Sequence, residues 1–323
     1  MKKILSFTAF LSAAMLLLPL CVFEAAEQTV KTEAKSPPST EVLSLPEETE
    51  KFKVSDGGKV SELTAEEYIL GVVAAEMPAL YEEEALKAQA VAAYTFAVKR
   101  REENKDKDYD ITSDYNIDQS YISRDKLKEK WGSNAEQYIE KIEAAVNETK
   151  GIIITYNGEP ITAVYHAVSS GITEDAKNVW GKEIPYLKSV KSEGDKLADN
   201  YISTASFTEA ELKEKLKGSV DLSGKPENYF KNPKKTAAGT VTEISVCGNT
   251  VSGFTLQKLL GLKSASYTVK YEKNKFTFTV CGYGHGVGMS QNGANYMAKN
   301  GSDYKEILNH YYKDCKIEKA KQS

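Results

Sequence analysis

Apolar positions in this chain fall into runs whose spacing changes from helical to strand-like and back. Thr64 and Glu67 form a T-x-x-E pair just ahead of "ILGVVAAEMP", which predicts a capped helix running to Met77-Pro78. A second helix is expected from about Glu82 to Arg100; it is alanine-rich and apolar on nearly every side between Ala88 and Val98, as a helix buried in a core would be. Lys51–Ser61, just upstream of both, reads as a short strand and a "DGG" turn.

Residues 101–132 are charged and irregular, after which Ser133 and Glu136 predict the cap of an amphipathic helix ending at Gly151. "GIIITYNGEPITAVYHAV" then reads as two strands about an Asn157-Gly158 turn. Thr208 and Glu211 cap a further helix, and strands are expected at 240–246, 266–271 and 276–281. The C-terminal stretch predicts a strand, a glycine-rich loop, a short helix, a turn at Asn300-Gly301 and a closing amphipathic helix. Helices and antiparallel hairpins mix without βαβ regularity, so the expected class is α+β, a single domain with a cleft over 51–315 and a tail over 316–323.

The N-terminus is of another kind. Lys2 and Lys3 precede an uncharged run from Ile4 to Phe23, long enough as a helix to cross about 30 Å of hydrocarbon. Glu24 stands where a cleavable signal wants a small residue, and bulky Leu20 precedes Cys21, which disfavours a lipoprotein signal. Residues 1–23 are therefore expected as a transmembrane anchor or signal. Residues 24–50, polar and with three prolines over "EQTVKTEAKSPPSTEVLSLPEETE", are expected as a solvated stalk, leaving the rest extracytoplasmic.

With 323 residues and 41% hydrophobic content, the chain can bury one large core or two lobes that share a site. The net charge of −4 comes from 46 acids and 42 bases, and the bases are spread along the chain, so nucleic acid is not an expected partner. Cys247, Cys281 and Cys315 lie beyond the apolar run, an odd number without C-x-x-C spacing, and the sequence does not choose a pair.

Glu76 is the chemical oddity. It lies seven, four and three positions after Ile69, Val72 and Val73, and so shares their helical face. Either the helix frays at Pro78 and the acid reaches water or pairs with Lys87, or the carboxyl sits in an apolar wall. In the wall, desolvation would raise its pKa and keep a proton available near neutrality. Lys87 and Gln89 are the polar interruptions of the second helix, and Lys87 also stands four residues after Glu83.

"GYGHGVGMSQNG" fits neither the dinucleotide nor the P-loop pattern, yet its glycines allow close backbone approach, with His285, Ser290 and Gln291 offering polar groups. His166 and Ser169-Ser170 follow a strand and offer sugar or peptide contacts. The three histidines show neither H-E-x-x-H nor a Cys/His cluster, so no metal or other cofactor is expected. A Ser-His nucleophilic enzyme lacks a G-x-S-x-G elbow.

Four segments in this order, "EEYILGVVAAEMPALYEEEALKAQAVAAYTFAVKR", "VYHAVSSGITEDAKNVWGKEIPYLKSV", "LLGLKS" and "FTFTVCGYGHGVGMSQNGANYMA", resemble the sporulation protein D family, which also includes amidase-enhancer proteins. The resemblance covers about residues 55–315. It implies a membrane-anchored lytic transglycosylase that cuts peptidoglycan glycan strands, denuded ones by preference, during engulfment of the forespore. It places the catalytic carboxylate on Glu76 and substrate contacts on Lys87, His285 and Gln291; His166 and Ser169, from the loop reading above, and Tyr94, at a position where the family has arginine, complete the expected contacts. It also implies, as an alternative, a non-catalytic enhancer of a cell-wall amidase, and partners in the engulfment machinery. Two departures stand out: Tyr94 occupies the arginine of the family's A-A-R-T-Y, and "TSDYNIDQSY" carries Ser113 and Asp118 where some members hold zinc with Cys and His.

Overall fold

The computed structural model describes residues 50–114 and 116–320; the expected anchor and nearly all of the expected stalk lie outside the described residues. No helix among the described residues is long and apolar enough to cross a membrane.

Strands β1 (Lys51–Asp56) and β2 (Lys59–Thr64) form a hairpin about Gly57-Gly58. The Thr64 hydroxyl accepts the Glu67 N–H, and the Glu67 carboxylate accepts the Thr64 N–H, so both halves of the expected capping box open α1 (Ala65–Glu76). Met77 turns extended before Pro78, whose ring disfavours a helical residue ahead of it, and α1 stops there. Helix α2 (Glu83–Glu103) is the axis of the larger body. Ala85, Ala88, Ala90, Ala92, Ala93 and Ala97 are all fully buried, and such small side chains let helices and strands approach from every side.

The segment expected to be irregular holds β3 (Ile111–Thr112), parallel to β1, and α3 (Arg124–Trp131). Leu127 is the only residue of α3 that is buried, so no apolar stripe announced this helix. The Ser133/Glu136 cap does not form. Ser133 sits inside a 3-10 turn over Gly132–Asn134, and Asn134 precedes α4 (Ala135–Glu148) without a side-chain cap.

Strands β4 (Ile152–Tyr156) and β5 (Glu159–Pro160) meet at Asn157 and Gly158, both with positive φ, as a two-residue hairpin turn needs. β6 (Tyr165–His166) and the short helix α5 (Ala176–Trp180) follow.

The chain then builds a second lobe: β7 (Ile202–Phe207), α6 (Glu209–Leu216) with the expected Thr208/Glu211 box, β8 (Phe230–Lys235), β9 (Val241–Val246), β10 (Asn249–Ser252), α7 (Gly253–Leu260), β11 (Tyr267–Glu272) and β12 (Lys275–Cys281). Two three-stranded sheets, ordered β10-β9-β8 and β11-β12-β7, enclose their own core of Leu212, Leu216, Ile244, Leu256, Phe276 and Phe278. The expectation of one domain thus meets a chain with two hydrophobic cores, the second built between Ile202 and Cys281.

Returning to the first body, the chain forms β13 (Met289–Ser290), α8 (Gln291–Lys299), α9 (Tyr304–Tyr311) and β14 (Lys316–Lys319). β14 pairs antiparallel with β4, so the first half of the segment expected as a tail is a sheet edge. Its single inward apolar residue, Ile317, is too little pattern to reveal a strand. β13 runs parallel to β6, with Tyr165 opposite Met289 and His166 opposite Ser290. Helices and mainly antiparallel sheets together give the mixed α and β class that the sequence implies. Cys247, Cys281 and Cys315 are free thiols.

Candidate active site

Ile69, Val72 and Val73 are buried, and α1 carries Glu76 out from them to the edge of the wall they form. The Glu76 residue as a whole keeps some exposed surface, but its carboxyl is hemmed in by protein, and this local burial governs its proton affinity. Burial pushes its pKa above the ordinary carboxylate value, and hydrogen bonds from Ser120 and Gln291 oppose the shift by favouring the ionised form. The Ser120 backbone N–H donates to Oε1 at 3.1 Å.

Around this carboxyl stand three phenols, those of Tyr68, Tyr165 and Tyr283. Each has its pKa raised by burial first and by the charge of Glu76 in addition. The Tyr165 hydroxyl donates to Gln119 Oε1 at 2.9 Å, and Gln119 Nε2 donates to the Tyr68 hydroxyl and to the Ala93 carbonyl, both at 3.3 Å. Gln291 Nε2 also donates to Gln89 Oε1 at 3.4 Å, so the fully buried Gln89 holds the amide that reaches Glu76.

Ser120 arrives on a loop clamped twice. Asp118, buried, accepts from Arg100 Nε at 2.6 Å and from the Thr112 N–H at 2.8 Å. Past Ser120 the loop crosses α1 at Gly71, where a Cβ would stand 2.4 Å from the Tyr121 ring and 2.6 Å from the Ile122 carbonyl oxygen. Only glycine admits that crossing. Asp118 thus fills its place in "TSDYNIDQSY" as an ion-pair partner of Arg100.

Gln291 opens α8 directly after β13, and the glycine loop brings it there. At Gly288, φ is +73° and a Cβ would lie 2.1 Å from the Val164 carbonyl oxygen, so the loop can close onto the segment before β6 only without a side chain. Ser290 caps α8 by accepting the Gly293 N–H at 3.1 Å while donating to Asp195 Oδ1 at 2.6 Å.

The other residues singled out in the sequence are bonded to partners other than Glu76. Ser169 is buried and spends its hydroxyl on Asp195 Oδ2, at 2.5 Å, so it ties the loop after β6 to the α8 cap instead of offering itself to a ligand. His166 and His285 lie with ring centroids 5.7 Å apart and are fixed by one residue. His166 Nδ1 donates to the Val287 carbonyl at 3.1 Å, and His285 Nδ1 accepts the Val287 N–H at 3.0 Å. Desolvation depresses both, His166 to about 4 and His285 to about 3, so both rings are neutral at pH 7. They lock the glycine loop to β6 as complementary tautomers.

Lys87 and Tyr94 face elsewhere. Two residues along a helix is about 200°, so Lys87 projects opposite to Gln89. Its ammonium meets Glu83, Glu84 and Glu148 at 3.4, 2.9 and 2.6 Å, and their charges hold its pKa up although burial opposes them. Tyr94, one further heptad along, packs against Phe52 and donates to Glu50 Oε2 at 2.5 Å. Lys87 thus takes the ion pair with Glu83 that its spacing allowed, and Tyr94 points to Glu50. Conversely, Ser120, Gln119 and Asp195 escaped sequence reasoning because they lie in aperiodic, polar stretches, while Gln89 was visible as a polar break in an apolar helix.

The chain is similar to known proteins over most of its length. The family model of the stage II sporulation protein matches residues 54–156, which carry Glu76, Gln89 and Ser120. A Bacillus subtilis protein named stage II sporulation protein D is 42% identical over 81% of this chain and 76% of its own length. Its namesake from Bacillus amyloliquefaciens is 40% identical over the same shares. A Bacillus subtilis protein named amidase enhancer is 29% identical over 75% of this chain and 39% of its own length.

Proposed function

Because the chain belongs to the stage II sporulation protein D family, we propose that it is a peptidoglycan lytic transglycosylase, acting on denuded glycan strands by preference and leaving 1,6-anhydro-muramic acid ends during engulfment. The observation that carries this reading is the carboxyl of Glu76, held partly desolvated at the edge of an apolar wall and bonded by Ser120 and Gln291.

The chemistry needs one group that gives a proton and takes one back. Protonated Glu76 donates to the glycosidic oxygen as the C1–O bond of the muramic acid breaks, and the leaving sugar departs as an alcohol. The carboxylate then removes the proton of the muramic acid 6-hydroxyl while O6 bonds to C1 and closes the anhydro ring. No water is consumed and Glu76 ends protonated. Burial favours the acid at the start, and the Ser120 and Gln291 donors favour the carboxylate in mid-reaction, so the site is poised between two states. A second carboxylate of the kind that ordinary glycoside hydrolysis uses is not required.

The apolar run of residues 1–23 supports a single-pass anchor with the described domain outside the cytoplasm, and the relative named amidase enhancer supports a cell-wall amidase as a partner. Incubating the full chain in detergent with denuded strands is expected to release anhydro-muramyl products, and Glu76→Gln is expected to abolish them. If wild type yields no such products, yet binds glycan and stimulates an amidase with or without Glu76, the protein is an amidase enhancer and not a transglycosylase.

A further inference from the structure

The "LLGLKS" segment plays no part in the reaction just described. Lys263, at its end, belongs to the second lobe, on the turn between α7 and β11. The turn is rigid: Leu262 and Ser264 on either side are buried, and the Ser264 hydroxyl donates to the Cys281 carbonyl at 2.6 Å and accepts the Ser266 N–H at 3.0 Å. The Lys263 carbonyl accepts the Gly284 N–H at 2.9 Å, which fastens the turn to the glycine loop. The Lys263 ammonium lies over the Tyr283 ring, 5.4 Å from its centroid. The same tyrosine stands in the field of Glu76.

The charge environment of Lys263 differs from that of the acid-paired cations of the first body. Among those, Lys87 is matched by three carboxylates, Arg100 by Asp118 and Glu103, and Arg101 by Glu50. Lys263 is half-buried, yet the ion pairs among the described residues do not include it. An aromatic face holds a cation in place without neutralising it, so the charge remains available to an anion from outside. Its neighbour Ser264 lines an open pocket between the lobes, where Thr240 and Ser266 add hydroxyls and the Glu174 carboxylate is held by Thr236 and Asn178. Hydroxyls beside an ammonium without an ion pair suit a saccharide that carries a negative charge.

We infer that Lys263 is a specificity-determining residue of the second lobe that binds the free lactyl carboxylate of muramic acid. The inference rests on the glycan-strand reading of the Glu76 site and gives a physical reason for a preference for denuded strands. Where a stem peptide is attached, the lactyl group is an amide and carries no charge. Where it has been removed, each muramic acid presents a carboxylate that a fixed ammonium attracts.

The test is equilibrium binding, measured with the full chain carrying Glu76→Gln so that strands stay intact and product formation plays no part. Three ligands are compared: denuded strands, the same strands with their lactyl carboxyls converted to amides, and strands that keep stem peptides. Denuded strands are expected to bind about tenfold more tightly than either of the others at low salt, with the advantage shrinking as salt rises. Lys263→Met should erase the advantage without changing affinity for amidated strands, and Lys263→Arg should preserve it. The inference is overturned if Lys263→Met still discriminates or weakens all three ligands alike. It is overturned equally if the protein with Lys263 intact binds peptide-bearing or amidated strands as well as denuded ones. Loss of anhydro products from wild type would refute the transglycosylase reading alone and leave this binding result standing.

Discussion

Replacing Gly71 by alanine adds one methyl group that meets Tyr121 and Ile122 instead of Glu76, and should nonetheless disable Glu76. The new Cβ would lie 2.4 Å from Tyr121 Cε2 and 2.6 Å from the Ile122 carbonyl oxygen. Ordinary carbon contacts are about 3.5–4.0 Å, so the loop must retreat by roughly 1 Å. The Tyr121 ring cannot swing aside freely, because it stacks on Tyr68 at 5.8 Å between centroids and 14° between planes. Backbone therefore moves, and the Ser120 N–H, now 3.1 Å from Glu76 Oε1, leaves hydrogen-bonding range. Overpacking costs about 1–3 kcal/mol, and alanine returns up to about 1 kcal/mol through its helix propensity. With the full return the net loss is up to about 2 kcal/mol, which lowers Tm by no more than a few degrees. A catalytic group misplaced by about 1 Å loses on the order of 100-fold in rate, so anhydro-product release should fall far more than the folded fraction does. With a donor to the carboxylate gone, the pKa of Glu76 should rise further, and the pH–rate limb it sets should move upward. A Gly71→Ala protein that melts normally and cleaves at the wild-type rate would refute the claim that this crossing positions Ser120.

Glu76→Gln should stabilise the fold at pH 7. The folded-state pKa of Glu76 is raised, so its favourable contribution is complete below the unfolded value near 4.5 and is lost as pH rises through the higher folded value. The Tm advantage of the glutamine variant should therefore vanish when both proteins are melted at about pH 4. Asp118→Asn should cost about 3–5 kcal/mol by stranding the Arg100 guanidinium, partly offset by Glu103. Hydrogen exchange at residues 112–122 should rise with it, and unchanged protection there would argue against the clamp.

The elements that the sequence revealed are those whose period or cap is local. The Thr64/Glu67 and Thr208/Glu211 boxes need only four residues each, and the buried face of α2 needs only its alanines. Ile69, Val72, Val73 and Glu76 share an inward face because a helix has 3.6 residues per turn. What stayed hidden depends on meetings across the chain. Ser120 reaches Glu76 because Asp118 finds Arg100 and because Gly71 leaves room. Ser169 and Ser290 are neighbours through Asp195, 26 residues from the one and 95 from the other. Lys87 and Tyr94 were placed by likeness to other proteins, and the rotation of α2 carries both to acids on other faces: Glu83, Glu84 and Glu148 for one, Glu50 for the other.

The second lobe leaves and rejoins the first body through strands that lie side by side, with Ile202 paired to Cys281. Topologically it is a long side loop that has acquired a core of its own, closed at its base like a bag at its neck. Lengthening, shortening or exchanging what lies beyond that neck alters where Lys263 sits, but leaves the helix that carries Glu76 and the loop that carries Ser120 untouched. Under the proposed glycan-cleaving reading, grip and proton transfer sit on separable parts of one chain, so the ligand can change by drift in the lobe while the Glu76 site stays fixed.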